Sequence, residues 1–269
     1  VLTGVVSLGG ISRIGRVTAG LVPGMAALYV VGCLVVIGIN VDQVPAAFAA
    51  ILQGAFTAEG VQGGVLGALI QGFRRAAFSN EAGLGSAAIA HSAVRTRDPV
   101  TEGFVALWEP FIDTVVICTM TALVIIISGE LAALQGSAVG GTAQGVQLTS
   151  QAFATVSSWF PYVLTVVVFL FAYSTMITWA YYGAKAAGYL TGESRAVQVL
   201  FNIVFMVMAV IGSTVSLGSL IDFADSLLFL MAIPNLVGVY LLMPVVKRDL
   251  AAYLARLRSG EIKPAAHPA

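Results

Sequence analysis

The chain alternates long apolar runs with short polar joints. Near-continuous stretches of Ala, Val, Leu, Ile, Phe and Met occupy 22–39, 104–128, 162–183, 197–215 and 226–246. Each reaches the ~17–25 residues that a helix needs to cross about 30 Å of hydrocarbon. None shows the apolar–polar alternation over roughly ten residues that marks a membrane β-strand. The pattern predicts an all-α membrane protein, with residues 1–246 forming one transmembrane domain and 247–269 a cytoplasmic tail. Residues 1–11 read as the end of another spanning helix, so the chain is expected to be the later part of a longer protein.

Basic residues set the orientation. Arg13 and Arg16, Arg95 and Arg97, Lys185 and Arg195, and the group Lys247, Arg248, Arg256, Arg258 and Lys263 fall in alternate joints. The positive-inside tendency puts these joints in the cytoplasm. Segments 40–61, 129–161 and 216–225 contain no Lys or Arg and carry Asp42, Glu59, Glu130, Asp222 and Asp225, so they are expected outside. The alternation then requires 62–94 to cross the membrane once, although its centre reads RRAAFSNEAGLGS.

A continuous helix there would set Ser79, Asn80, Gly83 and Gly85 at mid-membrane, and a helical glycine costs ~1 kcal/mol against alanine in water. A broken helix explains the composition better: half-helices over 62–77 and 86–94 joined by an unwound segment, 78–85. Non-helical backbone at membrane depth survives only where it is buried in protein or lines a cavity, and discontinuous helices build the midplane sites of many transporters. The backbone N–H groups at Ser86, Ala87 and Ala88 would face a carboxylate, and carbonyls near Phe78, Ser79 and Asn80 a cation. The plainer alternative makes GLGSAAIAHSA a seam of small residues for close helix packing. The GxGxxA spacing at 83–88 lacks a preceding strand, so no dinucleotide site follows from it.

Composition supports the bilayer as solvent, since 58% of residues are hydrophobic, 10% are charged and the mean hydropathy is +0.94. The 13 basic and 13 acidic residues cancel, which leaves no basic surplus for a nucleic-acid partner. Cys33 and Cys118 lie in apolar spans without metal-ligand spacing and read as small core residues. Arg74 and Arg75 stand deep in the broken span, where charges need partners. Glu81, Glu109 and Asp113 are the candidates, the last two sharing a helix face by their i, i+4 spacing. These charges form either a lattice that ties helices together or a set in which one carboxylate serves ion coupling. His91 reads as a packing histidine or a proton carrier; Asn202 and Asn235 read as helix bridges.

FSNEAGLGSAAIAH at 78–91 closely resembles the signature of the alanine or glycine:cation symporters, the sodium:alanine symporter family. VDQVPAAF (41–48), GFVALWEPFIDTVVICTMTALVI (103–125), TSQAF (149–153), TWAYYGAKAAGYL (178–190) and LMAIPNL (230–236) also look like segments of that family, so the likeness covers nearly the whole chain. It implies a leucine-transporter-like helical bundle, in which two inverted five-helix repeats each begin with a discontinuous midplane helix. Span 22–39 would end the first repeat, and the spans from 62–94 onward would form the second. TSQAFATVSSWF would be the external loop that gates the site, led in by 129–148.

The resemblance implies sodium-coupled import of a small neutral amino acid, alanine or glycine, with no catalysis and no organic cofactor. Phe78, Ser79, Asn80, Gly83, Gly85, Ser86 and Trp179 are the implied substrate-binding residues, and Ser79, Asn80, Ser174 and Thr175 the implied sodium ligands. For Ser174 and Thr175 the plainer reading is bonding to carbonyls of their own helix. The implied partners are the amino acid, sodium and the lipid bilayer, in the plasma membrane of a bacterium or archaeon. Two positions depart from the family pattern: Ala88 replaces a usual proline and Ala184 a common glutamate. Proton coupling and an ion channel are the alternatives. An intramembrane enzyme would need a nucleophile with a positioned base, and only isolated serines lie near His91.

Overall fold

The structure, a computed structural model, describes residues 2–7, 11–56, 64–130 and 145–262. Among these residues every element is helical: α1 (Leu2–Ser7), α2 (Ile11–Ile39), α3 (Val44–Phe56), α4 (Gly64–Asn80), α5 (Ser86–His91), α6 (Pro99–Ile127), α7 (Gly145–Ala154), α8 (Phe160–Leu190), α9 (Arg195–Gly212) and α10 (Leu217–Arg258). Five of them, α2, α6, α8, α9 and α10, are long and apolar enough to cross a membrane. The predicted spans 22–39, 104–128, 162–183, 197–215 and 226–246 lie on these five helices, 104–128 overrunning the end of α6 by one residue and 197–215 that of α9 by three.

Helix ends follow local chemistry. Pro99 opens α6 just after the extended residue Asp98, where a missing N–H costs nothing. Within α6, Pro110 has no N–H to donate, and the seven residues Phe111–Ile117 widen into a π-helical segment before the α-helix resumes at Cys118. Asp113 and Thr114 stand in that widened segment.

The last helix runs past its predicted span, 226–246, at both ends. Segment 216–225 was expected as an external loop and 247–258 as part of a tail, but α10 runs unbroken over 42 residues. At ~1.5 Å per residue that is roughly 60 Å, twice the hydrocarbon thickness. Polar side chains at 247–258 did not stop it; it ends at Arg258, where Gly260 two residues on turns left-handed (φ 77) and the Glu261 N–H donates back to Arg256 O. Pro234 and Pro244 lie inside it, in its apolar stretch. The rest of the tail, 263–269, lies outside the described residues, as do Glu59, Lys263 and most of the lead-in 129–148.

Helix α8 is central and packs against α1, α2, α5, α7 and α9. The main core joins Cys33 and Val36 of α2, Val124 of α6, Ala152 and Phe153 of α7 and Leu164 of α8. Phe153 anchors α7 there, edge-on to Phe160 at 5.7 Å between ring centroids, so the TSQAF segment docks through its own buried face. Cys33 is a core residue as expected, whereas Cys118 faces outward. Large apolar side chains remain exposed on α2, α9 and α10, the surface expected of helices that meet lipid or further helices.

Candidate functional site

The break between α4 and α5 is shorter than the sequence indicated. The α4 ladder continues to the Glu81 N–H, which donates to Ala77 O at 3.1 Å. The backbone then turns left-handed at Glu81 (φ 55), Gly83 (φ 81) and Gly85 (φ 93). Asn80 Oδ1 accepts from the Ala82 N–H at 2.9 Å, and the Leu84 N–H donates to Glu81 O at 3.2 Å, which closes the turn. The unwound segment is therefore 81–85, and Phe78, Ser79 and Asn80 form the last turn of α4. The physical reason is that the side-chain cap from Asn80 satisfies the turn only after the helix has ended.

That last turn is stitched to the π segment of α6. Ser79 Oγ donates to Asp113 Oδ1 at 2.8 Å, and Asn80 Nδ2 donates to Thr114 Oγ1 at 3.0 Å. Thr114 Oγ1 in turn donates to Asp113 Oδ2 at 3.3 Å. A cavity of about 240 Å³ opens beside this network, lined by Ser79, Asn80, Glu81, His91, Glu109 and Asp113 among others. Glu109 and Asp113 do share one side of α6, as their spacing predicted. A second cavity, of about 290 Å³, is lined by residues that include Ser174, Thr175, Thr178 and Trp179 of α8 and Thr18 of α2. The two cavities have Glu81, Ala90 and Tyr182 in common, so they meet at the helix break.

The remaining expected residues fall around this pair of cavities. Phe78 lines neither cavity; it points outward, with the Arg75 guanidinium 5.5 Å from its ring centroid. Gly83 and Gly85 supply the left-handed turns. Gly85 lies against α10: a Cβ built there would stand 3.2 Å from Asn235 Oδ1. Ser86 is 1% exposed and its Oγ has no hydrogen-bond partner among the described residues. Ser174 Oγ donates to Phe171 O at 2.9 Å, as the plainer reading of that hydroxyl expected. Trp179 packs edge-on to Tyr182 at 5.8 Å.

The expected partners of Arg74 and Arg75 are corrected. Neither pairs with Glu81, Glu109 or Asp113. Both guanidiniums converge on Asp225 Oδ2, Arg74 at 2.8 Å, while Asp225 is itself 2% exposed and its Oδ1 is unpaired among the described residues. The cause is the early start of α10 after the extended residue Ser216, which carries Asp225 two turns into the helix. Ser216 as a helix-start residue was the signal that could have shown this. His91 is likewise more than a packing residue. Its Nδ1 stands 2.7 Å from Glu102 Oε1 and its Nε2 3.2 Å from Glu109 Oε2. Glu102, Thr114 and Tyr182 had no distinguishing sequence signal.

A family model described as the sodium:alanine symporter family matches residues 1–267. The chain is 38% identical over 264 residues to the sodium/alanine symporter AgcS of Methanococcus maripaludis, covering 98% of this chain and 57% of that protein. It is 35% identical over 264 residues to an uncharacterized transporter of Haemophilus influenzae (96% and 56% covered). It is 34% identical over 260 residues to the probable sodium/glutamine symporter GlnT of Bacillus subtilis (96% and 53% covered). The chain thus spans a little over half the length of these relatives.

Proposed function

Because the chain belongs to the sodium:alanine symporter family, a family of membrane transporters rather than enzymes, we propose that the protein imports a small neutral amino acid, alanine or glycine, together with sodium, by alternating access. The observation that carries this reading is the meeting of two cavities at a helix break, both edged by hydroxyl and carboxylate groups and the first also by the Asn80 amide. Helices α2, α4–α5, α6, α8, α9 and α10 take the places of the fifth helix of one repeat and the five of its inverted partner in a leucine-transporter-like bundle.

In this reading sodium takes oxygens from Ser79 and Asn80 on the broken helix and from Ser174 and Thr175 on α8. Hard cations favour such ligands. Ser174 gives its proton to Phe171 O and keeps its lone pairs for the ion. The amino acid lies along the break, against Ser79, Asn80, Gly83, Gly85 and Ser86, with Trp179 limiting its size; the outward-facing Phe78 takes no part. Sodium bound to oxygens of both α4 and α8 favours the state in which these helices are together, and that difference in affinity drives uptake of the amino acid.

The test is uptake of labelled alanine by the intact transporter in proteoliposomes under an imposed sodium gradient, with glycine and glutamine as competitors. Saturable uptake that needs sodium and falls at least about tenfold in Asn80→Ala, the loss of one charge-assisted contact, supports the proposal. Competition by glutamine at the level of alanine would move the substrate toward that of the Bacillus subtilis relative. Uptake driven by a pH gradient and indifferent to sodium would overturn the sodium assignment.

A further inference from the structure

Helix α5 is six residues long, and its last residue, His91, is gripped on both sides of the ring. Glu102 and Glu109 stand seven positions apart on α6, two turns along one face, so their carboxylates reach the two ring nitrogens at 2.7 and 3.2 Å. A neutral imidazole has one N–H and can donate to only one of them. The other nitrogen then turns a lone pair toward a carboxylate oxygen. Both contacts are favourable only when the trio holds one added proton, either on the ring or on a carboxylate. The unwound residues 81–85 precede α5, α8 packs on its other side, and Asn235 of α10 stands against Gly85 at its start.

We infer that His91, Glu102 and Glu109 form a proton-binding site at the cytoplasmic end of the broken helix, and that the bound proton latches α5 to α6. This rests on the reading of α4–α5 as the moving helix of a transporter. The groups facing His91 fit the assignment. From α6 they are Glu102, Glu109 and Asp113; from the break, Glu81; from α8, Tyr182, all but Glu102 lining the cavity that His91 lines. Tyr181 and Lys185 of α8, with Arg95, line the cavity on the far side of α5. Asp113 is already committed to Ser79, which leaves Glu102 and Glu109 to compensate the imidazolium. His91 and Glu102 side chains are 20% and 17% exposed, whereas Glu109 is 52% exposed. Glu109, the more open of the two carboxylates, also lines the cavity beside the break, so the proton reaches the trio through that cavity. Closing the latch holds α5 in place; losing the proton removes one donor and frees α5 to swing from α6, which opens the inner cavity to the cytoplasm.

The intact transporter, with its native cysteines replaced, carries a reporter Ala87→Cys, on the wall of the cavity that His91 and Glu109 line and not of the one on the far side of α5. A membrane-impermeant maleimide is applied from the cytoplasmic side at about pH 5.5 and about pH 8.5, either side of histidine's ordinary range. Ser259→Cys, exposed at the end of α10, corrects for the pH dependence of the thiol reaction itself. Normalised labelling is expected to rise about tenfold toward alkaline pH, the equilibrium worth of one charge-assisted hydrogen bond. It is expected to be fast and flat in His91→Gln. Should that variant fail to insert, Glu109→Gln at the half-exposed position is expected to cut the pH dependence at least about threefold. A flat parent profile, or a parent-like slope in His91→Gln or Glu109→Gln, overturns the latch. Sodium-driven alanine uptake by the same parent sample is scored separately: labelling that follows pH without uptake refutes the symport reading alone, and uptake with flat labelling refutes the latch alone.

Discussion

Replacing Gly85 with alanine tests the helix break at the point where backbone and packing act together. Gly85 has φ 93 and ψ −18, a left-handed conformation, which costs an alanine about 1–2 kcal/mol. The added methyl would also stand 3.2 Å from Asn235 Oδ1 and 3.3 Å from its Cβ and Cγ. Those distances force α10 or the Asn235 rotamer to shift, at about 1–3 kcal/mol for an overpacked site. Gly83 provides the control: it is also left-handed, at φ 81, but a Cβ there meets nothing within 4 Å. Gly83→Ala should therefore carry the backbone cost alone. At ~2–4 °C per kcal/mol, the melting midpoint in detergent should fall by about 2–8 °C for Gly83→Ala and by about 4–20 °C for Gly85→Ala. Adding Asn235→Ala to Gly85→Ala should bring the loss, measured against Asn235→Ala, back to the Gly83→Ala level. Equal losses in the two glycine variants, or no recovery in the double variant, would refute the claim that α10 packs on the break.

Asp225→Asn leaves two guanidiniums facing each other without a counter-charge and should cost about 1–3 kcal/mol, less than a fully buried pair because the arginine side chains are 33% and 40% exposed. Arg75→Gln in the same chain should recover part of that loss in the same melting assay; no recovery would mean that the ion pair is not what Asp225 supplies. Gly183→Ala drives a methyl into the Phe201 ring where α8 meets α9 and should destabilise by about 1–3 kcal/mol; Phe201→Leu in addition should relieve it. Asp98→Asn removes the carboxylate that Arg256 Nη1 reaches at 2.7 Å, freeing the end of α10 from the start of α6. It should speed proteolysis after Arg256 and Arg258 and leave the melting midpoint nearly unchanged, as for an exposed pair.

The sequence by itself determined the spanning helices, the presence of a break and the family. Apolar length alone marked the helices, because a bilayer admits no other spanning backbone for such runs. Gly83 and Gly85 marked the helix break, since they alone among the apolar neighbours of 83–85 adopt left-handed backbone without strain. The motif residues also gave the family. The tertiary structure decided which charges meet. Arg74 and Arg75 find Asp225 across 151 and 150 positions, a pairing that no helical spacing encodes and that appears only once α10 lies against α4. His91 meets Glu102 and Glu109 because α5 ends short and α6 turns back beside it. The exact edge of the break is a local matter that the sequence reading missed: the Asn80 side chain closes its own turn two residues on. Spans and breaks are properties of a segment and its solvent, whereas ion pairs and cavities belong to the way separate segments pack.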